Sequence, residues 1–143
     1  GTQNCTSCVP GTYSGTGAEA CTDCDAGKHS STGASSCDAC KGGSYSDAGA
    51  RNCSTCLGGT YASAGSESCS ACGSGTYSED GNSACTKCDS GKWSNMSESA
   101  CTACASGKWS GSGAEKCIKC EPGKWSASGA AGGCTDCAEI ERA

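Results

Sequence analysis

Apolar positions follow neither a helical nor a strand period; large side chains instead recur at one fixed position of a short repeating unit. Tyr13, Tyr45, Tyr61, Tyr77, Trp93, Trp109 and Trp125 share that register, and the lone His29 fills the same slot in the second loop. Outside the column the large apolar residues are Val9, Leu57, Met96, Ile118 and Ile140. With no apolar stripe at helical spacing, no amphipathic helix is predicted. The surroundings of each ring repeat as well. A Gly stands two residues before it (Gly11, Gly27, Gly43 and onward to Gly123), and a Ser follows it in every loop except at Ala62. A second Gly comes four residues after the ring, from Gly17 to Gly129, with Ser97 as the departure. The unit reads CxxCxxG[TKS][YWH]SxxGAxx. Glycines bracketing a short polar stretch predict a tight β-hairpin, or paired extended segments, with a turn at the second Gly. The glycine density argues against helix.

The cysteines keep the same period. Nine CxxC pairs run from Cys5/Cys8 to Cys134/Cys137 and use all 18 cysteines; one extra residue between Gly129 and Gly133 lengthens the last loop. Spacing alone does not fix the pairing. A ladder joins the second Cys of each pair to the first of the next: Cys8 to Cys21, Cys24 to Cys37, Cys40 to Cys53, Cys56 to Cys69, Cys72 to Cys85, Cys88 to Cys101, Cys104 to Cys117 and Cys120 to Cys134. A crossed scheme, first with third and second with fourth, demands a period of two units that the loop sequences do not show, and it strands one pair. The ladder keeps every unit equivalent and is the expected scheme, with crossed blocks as the alternative. It leaves Cys5 and Cys137, which are assigned to bridges with a following copy or with further repeats of the same polypeptide.

Composition explains why cross-links are needed. Most of the 35% hydrophobic residues are Ala and Cys, and 23 Gly and 37 Ser or Thr fill much of the remainder. Five large aliphatic or thioether side chains cannot offset the chain entropy of a 143-residue protein. Eight ladder loops, each worth roughly 3 kcal/mol, can take the place of the missing core. The net charge of −5, without any Lys/Arg run, argues against nucleic acid as a partner. No segment is apolar enough to insert into a membrane. The cysteine content points to an oxidising, extracellular or cell-surface setting.

Candidate chemistry is sparse, and no catalytic residue and no cofactor is expected. Paired CxxC motifs also suit zinc, yet nine pairs do not divide into four-thiolate sites, so a zinc-binding array is a minor alternative. A redox CxxC belongs at a helix N-terminus, which this Gly-rich sequence does not supply. His29 occupies the ring slot, has no second His, and reads as a stacking substitute. The aromatic column is expected to pack on neighbouring disulfides or Gly backbone; the other reading turns it outward as a ladder for sugar rings. Asn95 lies in an N-glycosylation pattern (Asn95-Met96-Ser97), as do Asn4 and Asn52, where Cys occupies the middle position.

The repeated CxxC, Gly, ring, Ser and second Gly, in register from Cys5 through Cys137, resembles the ephrin-receptor-like cysteine-rich repeat, a relative of modules in growth-factor and tumour-necrosis-factor receptors. The resemblance implies an extracellular, disulfide-stapled array without catalysis, as in receptor spacers, protist coats and flagellar hairs. The expected fold is a small disulfide-rich repeat protein: an elongated rod of about eight 16-residue irregular-β hairpin units, with almost no helix and no hydrophobic core. A single array spans residues 5–137, and residues 1–4 and 138–143 form terminal connecting segments. The expected function is that of a structural component of an extracellular filament or coat, continued end to end. Its expected partners are itself or other extracellular repeat proteins, with glycans as a further candidate. The alternative is a stalk or binding module of a larger surface receptor.

Overall fold

The computed structural model describes residues 6–138. Sixteen two-residue strands pair consecutively as eight antiparallel hairpins. In the first, Thr12 faces Asp23 and Tyr13 faces Thr22. The same register recurs down to the last hairpin, where Lys124 faces Asp136 and Trp125 faces Thr135. Each first strand holds the ring residue and the residue before it; each second strand is the pair of residues inside a CxxC motif. The motif therefore spaces two half-cystines across a short strand, which is why its two inner positions are exposed while the second Cys turns inward.

All eight ladder disulfides are present, from Cys8–Cys21 to Cys120–Cys134, with Cα–Cα distances of 5.7 to 5.8 Å. The crossed scheme is excluded. The extra residue before Cys134 is absorbed without altering the pattern: the separation rises from 13 to 14 and the Cα–Cα distance stays at 5.7 Å.

Two turns per repeat account for the two glycines. Thr12 N–H bonds back to Val9 O at 3.1 Å with Gly11 at φ +87°, and Ala18 N–H bonds to Gly15 O with Gly17 at φ +77°. A positive φ at the third residue of such a turn is the conformation that Gly adopts without a Cβ penalty. Ser97, at φ +61°, is the one non-Gly residue with a positive φ among the described residues.

The chain divides into two compact units. One holds the described residues of Gly1–Cys56 with Tyr61–Ser70 and Gly81–Ala84; the other holds Leu57–Thr60, Ala71–Asp80 and the described residues of Cys85–Ala143. Inside each, repeats join their successors by the same main-chain bonds. In the first unit Gly11 N–H reaches Ser30 O, Ser14 N–H reaches Ala34 O and Gly33 N–H reaches Cys8 O. In the second, Gly75 N–H reaches Ser94 O, Ser78 N–H reaches Glu98 O and Gly113 N–H reaches Cys88 O. Backbone pairing between repeats thus satisfies groups that burial would otherwise leave costly.

In each unit the buried interior is made of sulfur and hydroxyl. Cys24, Cys40, Cys56, Cys72, Cys88 and Cys104 are enclosed, as are Ser30, Ser46, Ser78, Ser94 and Ser110. Each buried Ser donates to a strand carbonyl of the preceding repeat: Ser30 to Thr12 at 2.8 Å, Ser78 to Thr60 at 2.9 Å, Ser110 to Lys92 at 2.9 Å. No buried side-chain nitrogen or oxygen among the described residues lacks a partner. Val9, Leu57, Met96 and Ile118 are all exposed, so these aliphatic and thioether side chains contribute no core.

Candidate functional site

The aromatic column is half-buried rather than enclosed, and Trp125 at its end is 41% exposed. Each ring for which a groove is defined shares it with the later half-cystine of the following repeat's disulfide: Tyr13 with Cys37, Trp93 with Cys117, Trp109 with Cys134. The same grooves are bordered by a lysine from the next repeat, namely Lys28, Lys108 and Lys124. Each ring is thus partly covered by protein and opens on a shallow groove with a cation at the rim. The groove volumes are about 220, 340 and 290 Å³ in that order.

His29 shows why the ring slot tolerates a histidine. Its Nδ1–H donates to Asp38 O at 3.1 Å and lies 3.3 Å from Cys53 Sγ, beside the Cys40–Cys53 bridge. Among the described residues, His29, Cys40 and Cys53 are the one group whose potential ligand atoms cluster within 4.8 Å. Both sulfurs are committed to a disulfide and are not thiolates, so this donor set does not fit zinc. The same applies to the array as a whole: 16 cysteines are paired, and the one free thiol among the described residues is the exposed Cys137. The zinc alternative is therefore withdrawn, because the described residues contain no four-thiolate set to hold the metal.

Asn95 sits exposed in the turn that contains Ser97, and Asn52 is exposed next to disulfide-bonded Cys53. Asn4 and Cys5 lie outside the described residues. No helix among the described residues is long and apolar enough to cross a membrane. The run of disulfides from Cys8 to Cys134 is consistent with an extracellular or secreted protein.

Two features of the geometry escape a reading of the residues. First, the Ser after each ring belongs to the interior; its recurrence in seven of eight loops was the available signal. Second, contacts reach beyond the neighbouring repeat. A Cβ built on Gly11 would overlap the carbonyl oxygen of Gly49, and one on Gly75 that of Gly113, in each case skipping over the repeat between. The shared register of both glycines along the repeats hinted at a constraint, but nothing in it identifies the partner.

No family model and no curated protein sequence matches the chain.

Proposed function

We propose that the protein is a structural, non-catalytic component of an extracellular filament or cell coat, built by continuing the repeat array from one copy to the next. The observation that carries this reading is that successive repeats are fastened by one recurring set of bonds, as where Gly11 N–H reaches Ser30 O and Gly75 N–H reaches Ser94 O. From Gly11 to Gly91, the first Gly of each loop also abuts a backbone carbonyl two repeats ahead. Cys137 carries the one free thiol among the described residues, and it is exposed. A register that treats every unit alike can be continued by a further copy, with Cys137 as the sulfur that would bridge to it. A second copy docking there makes a head-to-tail contact, and such contacts propagate as open chains. The resemblance to ephrin-receptor-like repeats agrees with a spacer or coat role.

Oxidised full-length protein on a non-reducing gel, with peptide mapping and electron microscopy, tests this reading. The expected result is a ladder of multimers with a Cys137–Cys5 bridge between copies, abolished by Cys137→Ser. A monomer whose Cys137 alkylates completely at every concentration would overturn the filament and favour a spacer within a larger surface receptor.

A further inference from the structure

The grooves beside Tyr13, Trp93 and Trp109 share one plan but differ in charge. In the Tyr13 groove, Lys28 is held by Asp25 at 3.2 Å; in the Trp109 groove, Lys124 approaches Glu121 at 3.9 Å. The acid stands three residues before the lysine in both cases. At the corresponding place in the Trp93 groove the residue is Ala105, so Lys108 has no neutralising partner. Lys116 lines the same groove, and neither lysine forms an ion pair among the described residues. The result is a half-buried indole flanked by two unpaired ammonium groups, with no carboxylate in the lining.

The surroundings accentuate the contrast. Between Gly81 and Trp125 six Lys stand against four Asp or Glu, in a chain of net charge −5, and all three Trp fall in this stretch. The neighbouring Trp109 groove, one repeat on, adds Lys119. An indole face packs against the C–H face of a pyranose, and ammonium groups pair with carboxylate or sulfate. Recurrence of the groove from one repeat to the next suits a ligand that is itself a repeating polymer. We infer that the Trp93 groove, with Lys108 and Lys116, is a binding site for an acidic polysaccharide, with the Trp109 groove as a weaker second subsite in which Glu121 offsets Lys124 and Lys119 remains. The site needs no assembly of copies and stands independently of the filament reading.

The test is a titration of the full oxidised chain with a galacturonic acid hexamer, read by Trp fluorescence and calorimetry. The uncharged oligosaccharide of the same length and a single-stranded oligonucleotide serve as comparisons. The acidic sugar is expected to bind, to weaken as salt rises, and to exceed both comparisons. Ala105→Glu is the decisive variant, because it installs the acid that the Trp109 groove already tolerates at Glu121. It should weaken binding about tenfold, as should Lys108→Ala, while the far-ultraviolet spectrum stays unchanged. Trp93→Tyr, the residue used in four other loops, should weaken binding by a smaller factor without unfolding. Equal binding of the neutral sugar, preference for the oligonucleotide, no binding at all, or indifference to Ala105→Glu would each overturn the inference.

Discussion

At the scale of single residues, one hydroxyl adds a side-chain bond to the main-chain bonds that fasten a repeat to its predecessor. Ala62 is 2% exposed and occupies the place where Ser78 or Ser94 donates to a strand carbonyl of the repeat before. The same place accepts a buried hydroxyl from Ser30 through Ser126, and Ser44 supplies the equivalent carbonyl. Ala62→Ser should therefore stabilise the protein by about 1 kcal/mol, and Ser78→Ala should destabilise it by a similar or larger amount. Denaturant unfolding of the oxidised variants measures both. Glycines sort in the same way. Gly43 has φ +84° and its absent Cβ would overlap the Gly81 carbonyl, so Gly43→Ala combines left-handed strain with a backbone clash and should cost about 3 kcal/mol. Gly107 has φ +76° but open space, and Gly107→Ala should cost only about 1 kcal/mol. Ser97 shows that a side chain at such a φ is tolerated at the second turn of a repeat. Equal losses at Gly43 and Gly107 would refute the role assigned to the close approach.

At the scale of the hairpin, a two-residue strand pair has no stability of its own in water, and the disulfide closing each loop provides it. Replacing both Cys72 and Cys85 by Ala should cost about 3 kcal/mol. The loss should exceed that of a Tyr77→Ala change in the same repeat, because Cys72 is fully enclosed whereas the ring is half-buried. Denaturant midpoints of the two oxidised variants give the comparison. This hierarchy was partly legible beforehand. The ladder pairing, the turn glycines and the hairpin follow from a period that treats all units alike, so equivalence alone selected the correct scheme. The rings were expected to pack on neighbouring disulfides or Gly backbone, and Tyr13, Trp93 and Trp109 lie half-buried beside half-cystines of the following repeat. Full enclosure falls to sulfur and the Ser hydroxyl, which the column of rings did not announce. What no spacing rule within one unit reports is that Lys116 joins Lys108 beside Trp93 of the preceding repeat.

At the scale of the whole molecule, the same few bonds recur without a central core, so stability is set by closed loops and by links between successive repeats. A repeat bonds to the next and touches the one after it, as Gly75 does with Ser94 and with the Gly113 carbonyl. A defect should therefore spread about two repeats and fade beyond. Amide hydrogen exchange on Gly75→Ala should accelerate between the hairpins of Tyr77 and Trp109 and leave Gly11 and Gly27 protected. Uniform acceleration would indicate one all-or-none unit. Reduction removes every closed loop at once, and among the described residues Ala62 is the one enclosed aliphatic side chain to oppose the entropy it releases. Dithiothreitol should thus abolish the ordered circular-dichroism signal and Trp protection across the chain, whereas a strong chelator should leave both intact under oxidising conditions. Persistence of structure after full reduction would show that the hydrogen-bonded Ser and Gly network holds the repeats without their disulfides, and would invert the order of causes argued from Cys8 to Cys134.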